Sequence, residues 1–227
     1  MENKNENNTS LIPIGSTGLV RVGNSIEITS KIIKEHEERI INQLFPTVKI
    51  GSQHWMTKNL DVDCYANGDP IPQVQNPKEW ENLRTGAWCY YDNDPNNGLK
   101  YGKIYNYFAI KDERGLAPNG FCVSKLKDWE ILFHFLGENA SFYKSTKGWK
   151  DNGNGNNQSQ MNISPGGHRM CLGAFLGLNE YTCFWTSTEF SKGYSIFIDF
   201  SYYRDSAFIF SEGANWNRGY YIRCLKI

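Results

Sequence analysis

Short segments rich in apolar and aromatic residues, separated by Gly, Asn and Asp, follow one another near the end of the chain. They are Phe184–Ser187, Tyr194–Phe200, Ser206–Phe210 and Tyr220–Ile227. Segments of this length, with turn-forming residues between them, predict an antiparallel sheet region rather than a helical bundle. The alternation in Tyr194–Phe200 is typical of a strand. An aromatic content of 15% and 21 glycines fit the same class of strand-and-turn domain.

A helical pattern over residues 24–45 precedes this region. Ile26, Ile33 and Ile40 recur at seven-residue spacing, Leu44 extends the same stripe, and Pro46 ends the helix. This spacing favours the seam of a short coiled coil or helix bundle. The same stripe would also suit an amphipathic helix packed on its own domain. Both interpretations remain open at this point.

A second helix is predicted over residues 124–137. Ser124 is a candidate N-cap and Gly137 a candidate C-cap. Between them, apolar residues that include Trp129 form a stripe at helical spacing, which predicts that this face belongs to the core.

Three segments are predicted along the chain. The polar residues 1–10 are expected to be a disordered tail, because they offer too little apolar surface to offset ordering. Residues 11–46 are expected to form an arm and a helix that serve attachment or oligomerisation. Residues 47–227 are expected to form the globular domain.

Several functional classes are disfavoured by composition. The 24 basic and 24 acidic residues balance, and the absence of a basic stripe argues against nucleic acid as a partner. No apolar run approaches the roughly 20 residues that span a bilayer. The first residues lack the pattern of a secretory signal peptide. We therefore expect cytoplasmic synthesis, with non-classical export or transport within a particle.

From Val48 onward, ordered sequence blocks resemble the Fibrobacter succinogenes major paralogous (FISUMP) domain. The resemblance is carried by IGSQHWMTKNLDV at 50–62, NGDPIPQVQ at 67–75, W-x-N-L at 80–83, GAWCYYDNDPNNGLKYGKIYNYFAI at 86–110, RGLAPNGFCVSKLKDWEIL at 114–132, PGGHR at 165–169, FWTSTE at 184–189 and GYYIRCLKI at 219–227. It implies an α+β, C-type-lectin-like domain with small antiparallel sheets, few helices and long loops. The N-terminal helical stem would precede this domain.

The resemblance also bears on the six cysteines, none of which forms a CxxC pair. Cys89 and Cys224 lie in family blocks at positions that are usually Cys, so the resemblance makes them the candidate disulfide pair. Cys64 and Cys122 stand where the family has other residues. The alternative for most of the six is a small buried apolar side chain.

Oxygen-bearing side chains in the loop 92–98 suggest Ca²⁺ as the one candidate metal. Asp92, Asp94 and Asn96 could supply ligands. The EF-hand pattern fails, since Asn97 and Lys103 stand where it needs Gly and Glu. The chain also lacks the residue triplets of the sugar-binding Ca²⁺ site of C-type lectins. A turn stabilised by Asx hydrogen bonds is the alternative, and we expect no cofactor.

A thiol-dependent activity of the formylglycine-generating type is a further hypothesis. It would need two close, accessible cysteines with lowered pKa values. Cys171 and Cys183 are twelve residues apart, but their order and surroundings do not match that motif. His168 could act as a general base, although a lone His beside a Gly pair is more often a loop residue. We therefore expect a protein that is not an enzyme.

Aromatic and amide side chains near the C-terminus are the candidate binding residues. Tyr202, Tyr203, Asn215, Trp216 and Asn217 are expected to be exposed on loops, where rings offer large contact areas at low entropy cost. The leading hypothesis is a binding or structural module that recognises a protein or glycan surface. The alternative is a cargo or fibre component of a phage-like contractile injection particle.

Overall fold

The computed structural model describes residues 11–13, 19–21 and 26–227, with side chains from Ile33 onward. The chain divides into two compact units, one ending at Phe45 and one running from Pro46 to Ile227. The predicted tail, most of the predicted arm and the side chain of Ile26 lie outside the described residues. Each unit is described separately below.

The first unit contains a hairpin and the predicted helix. Strands β1 (Leu11–Pro13) and β2 (Leu19–Arg21) pair antiparallel, and helix α1 spans Ile26–Leu44. Ile33, Ile40 and Leu44 are exposed on α1. Among the described residues, neither α1 nor any other helix is long and apolar enough to cross a membrane.

The second unit combines helices with three sheets. Its strands are β3 (Thr47–Ile50), β4 (Gln53–Met56), β5 (Trp88–Cys89), β6 (Ile104–Tyr105), β7 (Phe121–Val123), β8 (Gly166–Arg169), β9 (Phe175–Leu178), β10 (Tyr181–Ser191), β11 (Tyr194–Ser201), β12 (Phe208–Asn215), β13 (Tyr221–Ile222) and β14 (Cys224–Lys226). Its α-helices are α2 (Pro77–Glu81), α3 (Pro95–Tyr101), α4 (Tyr107–Lys111) and α5 (Leu126–Leu136). Single 3₁₀ turns lie at Tyr91–Asn93, Ala140–Phe142 and Lys150–Asn152. This mixture agrees with the predicted α+β class.

The largest sheet has the order β12-β11-β10-β8-β9, with β13 also paired to β10. Strands β10, β11 and β12 form the predicted antiparallel region. Strand β10, however, pairs in parallel with β8 and β13, which the sequence did not predict.

Strand β11 is buried on both sides of the sheet, because both faces are covered. Ile198 and Phe200 point to the core, where the Phe200 ring lies 6.2 Å from that of Trp129. Phe197 and Asp199 line a cavity on the opposite face. Alternate residues of β11 therefore face two buried environments, the core and the cavity, rather than the core and the solvent.

A second sheet, with the order β3-β4-β14-β7, joins the beginning and the end of the unit. Leu225 of β14 faces Trp55 of β4 and Cys122 of β7. The last strand of the chain is therefore an inner strand of this sheet.

The core is built largely from aromatic rings around α5. Trp129 lies 4.8 Å from Trp55 and 5.7 Å from Phe184, measured between ring centroids. Its indole nitrogen donates to the hydroxyl of Ser124 at 2.9 Å. The prediction that Ser124 caps the helix is wrong, because α5 begins at Leu126 with Lys125 as its N-cap, and the Ser124 hydroxyl accepts from Trp129 in the core. Gly137, with φ 97°, ends α5 as predicted, and its amide donates to Phe133.

Candidate functional site

A cavity of about 570 Å³ lies over the face of the large sheet that is opposite the core. Strand β10 contributes Cys183, β11 contributes Phe197 and Asp199, and β12 contributes Phe210. Strand β8 adds His168, and connecting segments add Cys171, Arg204, Arg218 and Tyr220. Three adjacent strands thus provide the floor of the cavity, and its charged groups come from β11 and from connecting segments.

Aromatic rings form one continuous wall. Phe197 and Phe210 are register partners on β11 and β12, and their rings stack with centroids 4.4 Å apart and an interplanar angle of 6°. The Tyr220 ring lies 4.8 Å from that of Phe197. Tyr194 is exposed at the margin. Such a wall suits a flat or weakly polar ligand face.

A buried ion pair lies beside this wall. Arg204 Nη1 is 2.6 Å from Asp199 Oδ2, and the Asp199 side chain is only 7% exposed. Burial raises the pKa of Asp199, although the neighbouring Arg204 opposes that rise. The thiol of Cys183 donates to Asp199 Oδ1 at 3.6 Å. The two charges of the pair offset each other within the cavity.

Arg218 brings a second guanidinium group, and its environment differs. Its Nη1 donates to Tyr220 Oη at 3.3 Å and to Met170 Sδ at 3.5 Å. Among the described residues, no carboxylate lies within ion-pair distance of Arg218. The cavity therefore holds one positive charge without a negative partner in the described part of the chain.

His168 packs edge-on against Tyr220, with the two ring centroids 5.8 Å apart. Its Nδ1 is buried without a hydrogen-bond partner among the described residues. Burial, reinforced by the charge of Arg218, lowers the pKa of His168 to about 4. The imidazole is therefore neutral near pH 7 and able to donate or accept a hydrogen bond.

Cys171 and Cys183 both line the cavity. Burial and the nearby carboxylate of Asp199 raise the pKa of Cys183 well above its usual value, so this thiol is protonated near pH 7. A protonated thiol is a poor nucleophile, because the thiolate is the reactive form.

The family model of the Fibrobacter succinogenes major domain matches residues 48–226, which is most of the 227-residue chain. The chain belongs to this family. No curated protein and no solved structure matches it. The resemblance carried by the ordered sequence blocks is thereby confirmed, and residues 48–226 are called the major domain below.

The five predicted binding residues of the major domain have different roles in the structure. Asn215 lines the cavity, and Tyr203 is exposed. Tyr202 packs partly against the core. Trp216 packs against Tyr107 and Phe108, and its indole nitrogen donates to Ser195.

Asn217 supports the local fold. Its side-chain amide donates to the carbonyl oxygens of Trp80, Glu81 and Leu83, at distances of 2.9–3.2 Å. The Nδ2 group of Asn217 therefore holds the end of α2 in place, and its hydrogens are not available to a ligand.

The predicted disulfide is absent. All six cysteines lie within the described residues, and all are free thiols. Cys89 lies on β5, which pairs with β6, whereas Cys224 lies on β14 in the four-stranded sheet. Both side chains are fully buried, in agreement with the alternative of small apolar core residues.

The acidic loop at residues 92–98 is organised by its own hydrogen bonds. Asp94 Oδ1 accepts from the backbone and side-chain nitrogens of Asn96 and caps α3, which begins at Pro95. Asp92 has a left-handed backbone conformation, with φ 53°. Within residues 26–227, no cluster of three or more His, Cys, Asp or Glu side chains could hold a metal ion.

The cavity residues that sequence reasoning missed include the stacked pair of Phe197 and Phe210 and the charged residues Asp199, Arg204 and Arg218. His168 had been considered only as a catalytic base. The alternate positions of β11 offered a partial signal, since Asp199 interrupts an apolar segment. Arg204 and Arg218 lie in polar connecting segments, and only the folded chain brings them together.

Proposed function

We propose that the major domain is a non-catalytic binding module with a C-type-lectin-like fold, and that its cavity holds a sugar residue of a glycan. The observation that carries the proposal is the stacked pair of Phe197 and Phe210 beside the ion pair of Asp199 and Arg204. Aromatic faces pack against the apolar face of a sugar ring, while charged groups and amides bind its hydroxyls. A protein ligand is the alternative outcome of the test.

Support for binding rather than catalysis comes from the chemical state of the cavity. The thiol of Cys183 is held in its protonated form, and Asp199 is already paired with Arg204. A nucleophilic thiol needs a lowered pKa, whereas burial and the neighbouring carboxylate of Asp199 raise the pKa of Cys183.

The proposal can be tested by binding the full chain to an array of oligosaccharides and of peptides. Phe210→Ala removes one ring of the stacked pair, and we expect it to weaken oligosaccharide binding by about tenfold or more. Phe190→Ala is the matched control, because Phe190 is exposed and does not line the cavity. Equal binding by both variants, or binding of peptides alone, would contradict the proposal.

We further propose that α1 joins copies of the chain. Ile33 and Ile40 are exposed and seven residues apart, and Leu44 extends the same apolar surface toward the end of the helix. Seven-residue apolar spacing is the pattern by which helices associate with one another. The hypothesis that the protein is a cargo or fibre component of a phage-like contractile injection particle stays a prediction, and it depends on association of copies through α1.

Sedimentation of the full chain tests this second proposal. The double substitution Ile33→Asn and Ile40→Asn should convert an oligomer into a monomer. Lys34→Asn with Glu38→Asn is the control, because it alters two exposed helical positions without removing apolar surface. An unsubstituted chain that sediments as a monomer at micromolar concentrations would exclude assembly through α1.

A further inference from the structure

We propose that the ligand of the cavity carries a carboxylate, as an acidic sugar residue does, and that Arg218 binds that carboxylate. The inference rests on the proposed function and makes it more specific. Three features of the cavity support it: its net charge, the free donors of Arg218 and the position of His168.

The charge of the cavity comes from a small set of groups. Asp199 and Arg204 form an ion pair and contribute no net charge. His168 is neutral near pH 7. Arg218 therefore leaves one positive charge in a partly enclosed space, where electrostatic attraction is stronger than in bulk water. A negatively charged ligand would be favoured over a neutral ligand of the same shape.

The free donors of Arg218 contrast with the donors of two buried arginines. Arg169 uses Nε, Nη1 and Nη2 to bind three backbone carbonyls. Arg223 uses Nε to bind the Asn59 side chain and Nη1 to bind the backbone carbonyls of Met56 and Met161. Arg218 uses only Nη1, toward a phenol and a thioether, which are weak partners for a guanidinium group. Its Nε and Nη2 bind no acceptor within the described part of the chain, so a bidentate bond to a carboxylate can form.

His168 supplies a second polar contact. Its unpartnered Nδ1 is buried, which costs free energy unless a ligand or water binds there. The His168 ring packs against the Tyr220 ring, Arg218 donates to the Tyr220 hydroxyl, and all three residues line the cavity, so a ligand resting on this ring could reach both groups. A uronic-acid-type sugar carries both a carboxylate and ring hydroxyls. The carboxylate would bind Arg218, and a hydroxyl would bind His168.

The experiment compares an acidic oligosaccharide with its own methyl ester. The oligosaccharide array is extended with neutral, carboxylated and sulfated members, and the tightest carboxylated binder is esterified, which removes the charge and keeps the sugar ring. We expect esterification to weaken binding by tenfold or more. We expect Arg218→Met to weaken binding of the acid by a similar factor and to leave binding of the ester unchanged.

Two controls separate a direct role of Arg218 from a structural one. Lys192→Met removes one positive charge from the exposed turn between β10 and β11, outside the cavity, and should leave the ratio of acid to ester binding unchanged. Arg218→Lys keeps the charge and should retain part of the preference for the acid. A general loss of folding would instead weaken both ligands equally.

The outcomes also distinguish the two proposals. Equal binding of neutral and carboxylated members overturns the assignment to Arg218 and leaves the glycan-binding function standing. A requirement for sulfate in place of carboxylate overturns the carboxylate assignment. An array without any oligosaccharide binder overturns both proposals.

Discussion

The guanidinium group of Arg169 connects three parts of the chain at a point without solvent. Its Nη1 and Nη2 donate to the carbonyl oxygens of Val74 and Gln75 at 2.7 Å, and its Nε donates to Gly173 at 3.0 Å. The Trp80 ring covers the guanidinium at 4.3 Å. One buried side chain thus binds two acceptors that are distant in sequence and one from its own connecting segment.

We expect Arg169→Met to lower the free energy of unfolding by about 3 kcal/mol or more, because it leaves three carbonyl oxygens, two of them in buried hydrogen bonds, without this donor. Urea unfolding followed by tryptophan fluorescence measures this change. Arg84→Met is the control. Arg84 is exposed and donates to only one carbonyl oxygen, so its substitution should change the free energy by less than about 0.5 kcal/mol.

The thiols should differ in their reactivity. Cys64 is exposed, whereas Cys89, Cys183 and Cys224 are buried. Burial also raises the pKa of Cys89 to about 12, which suppresses its thiolate. We expect native protein without reductant to show rapid labelling at Cys64 and slow labelling at the buried thiols. Unfolded protein should show six thiols, and a count of four would reveal a disulfide that the structure lacks.

His168 should make stability depend on pH. Its pKa is about 4 in the folded protein and near 6.5 in the unfolded chain, so the unfolded chain takes up a proton first as the pH falls. The contribution of His168 to the free energy of unfolding is therefore complete above about pH 6.5. It is lost progressively between about pH 6.5 and 4, by up to roughly 3 kcal/mol.

Urea unfolding at pH 7 and pH 4.5 tests this dependence. The variant His168→Gln should lose less stability over this range than the unsubstituted protein. His134→Gln should lose as much as the unsubstituted protein, because His134 is exposed on α5. Identical losses for the two variants would contradict the assignment to His168.

At the scale of elements, β8 depends on a glycine that no other residue can replace. Gly167 has φ 69°, and a Cβ there would lie 2.7 Å from the carbonyl oxygen of Leu176 and closer still to the Tyr91 ring. Gly167 is the residue through which β8 pairs with β10, and its neighbours Gly166 and His168 pair with β9.

We expect Gly167→Ala to lower the free energy of unfolding by on the order of 3 kcal/mol, from backbone strain and overpacking together. Gly193→Ala is the matched control, since Gly193 has φ 87° with open space around the added carbon. It should cost only about 1 kcal/mol. Thermal or urea unfolding compares the two, and equal costs would show that packing against Tyr91 is unimportant.

The elements with clear periodicity were predictable from the sequence, and those set by long-range pairing were not. Helices α1 and α5 and strands β10 and β11 follow their apolar patterns. The short helices α2 and α3 were missed, because each begins with an Asx-Pro pair that also suits a turn. The cavity depends on the register between β11 and β12 and on two connecting segments, which no local pattern encodes.

At the scale of the whole molecule, β14 closes the four-stranded sheet between β4 and β7. We expect deletion of residues 224–227 to abolish cooperative unfolding, because it leaves both neighbours without their inner partner. Deletion of residues 1–45 should preserve it, since residues from Pro46 onward form a compact unit by themselves. Near-ultraviolet circular dichroism with urea unfolding measures both, and a folded protein without residues 224–227 would contradict the expectation.

The position of β14 also has a consequence for biosynthesis. The guanidinium of Arg223 donates to the carbonyl of Met56, a residue made 167 positions earlier. Strands β3 and β4 therefore leave the ribosome long before the strand that completes their sheet has been translated. The nascent chain must therefore keep the free edge of β4 from pairing with other strands until residues 224–226 have been synthesised, and this sheet should be among the last parts of the domain to form.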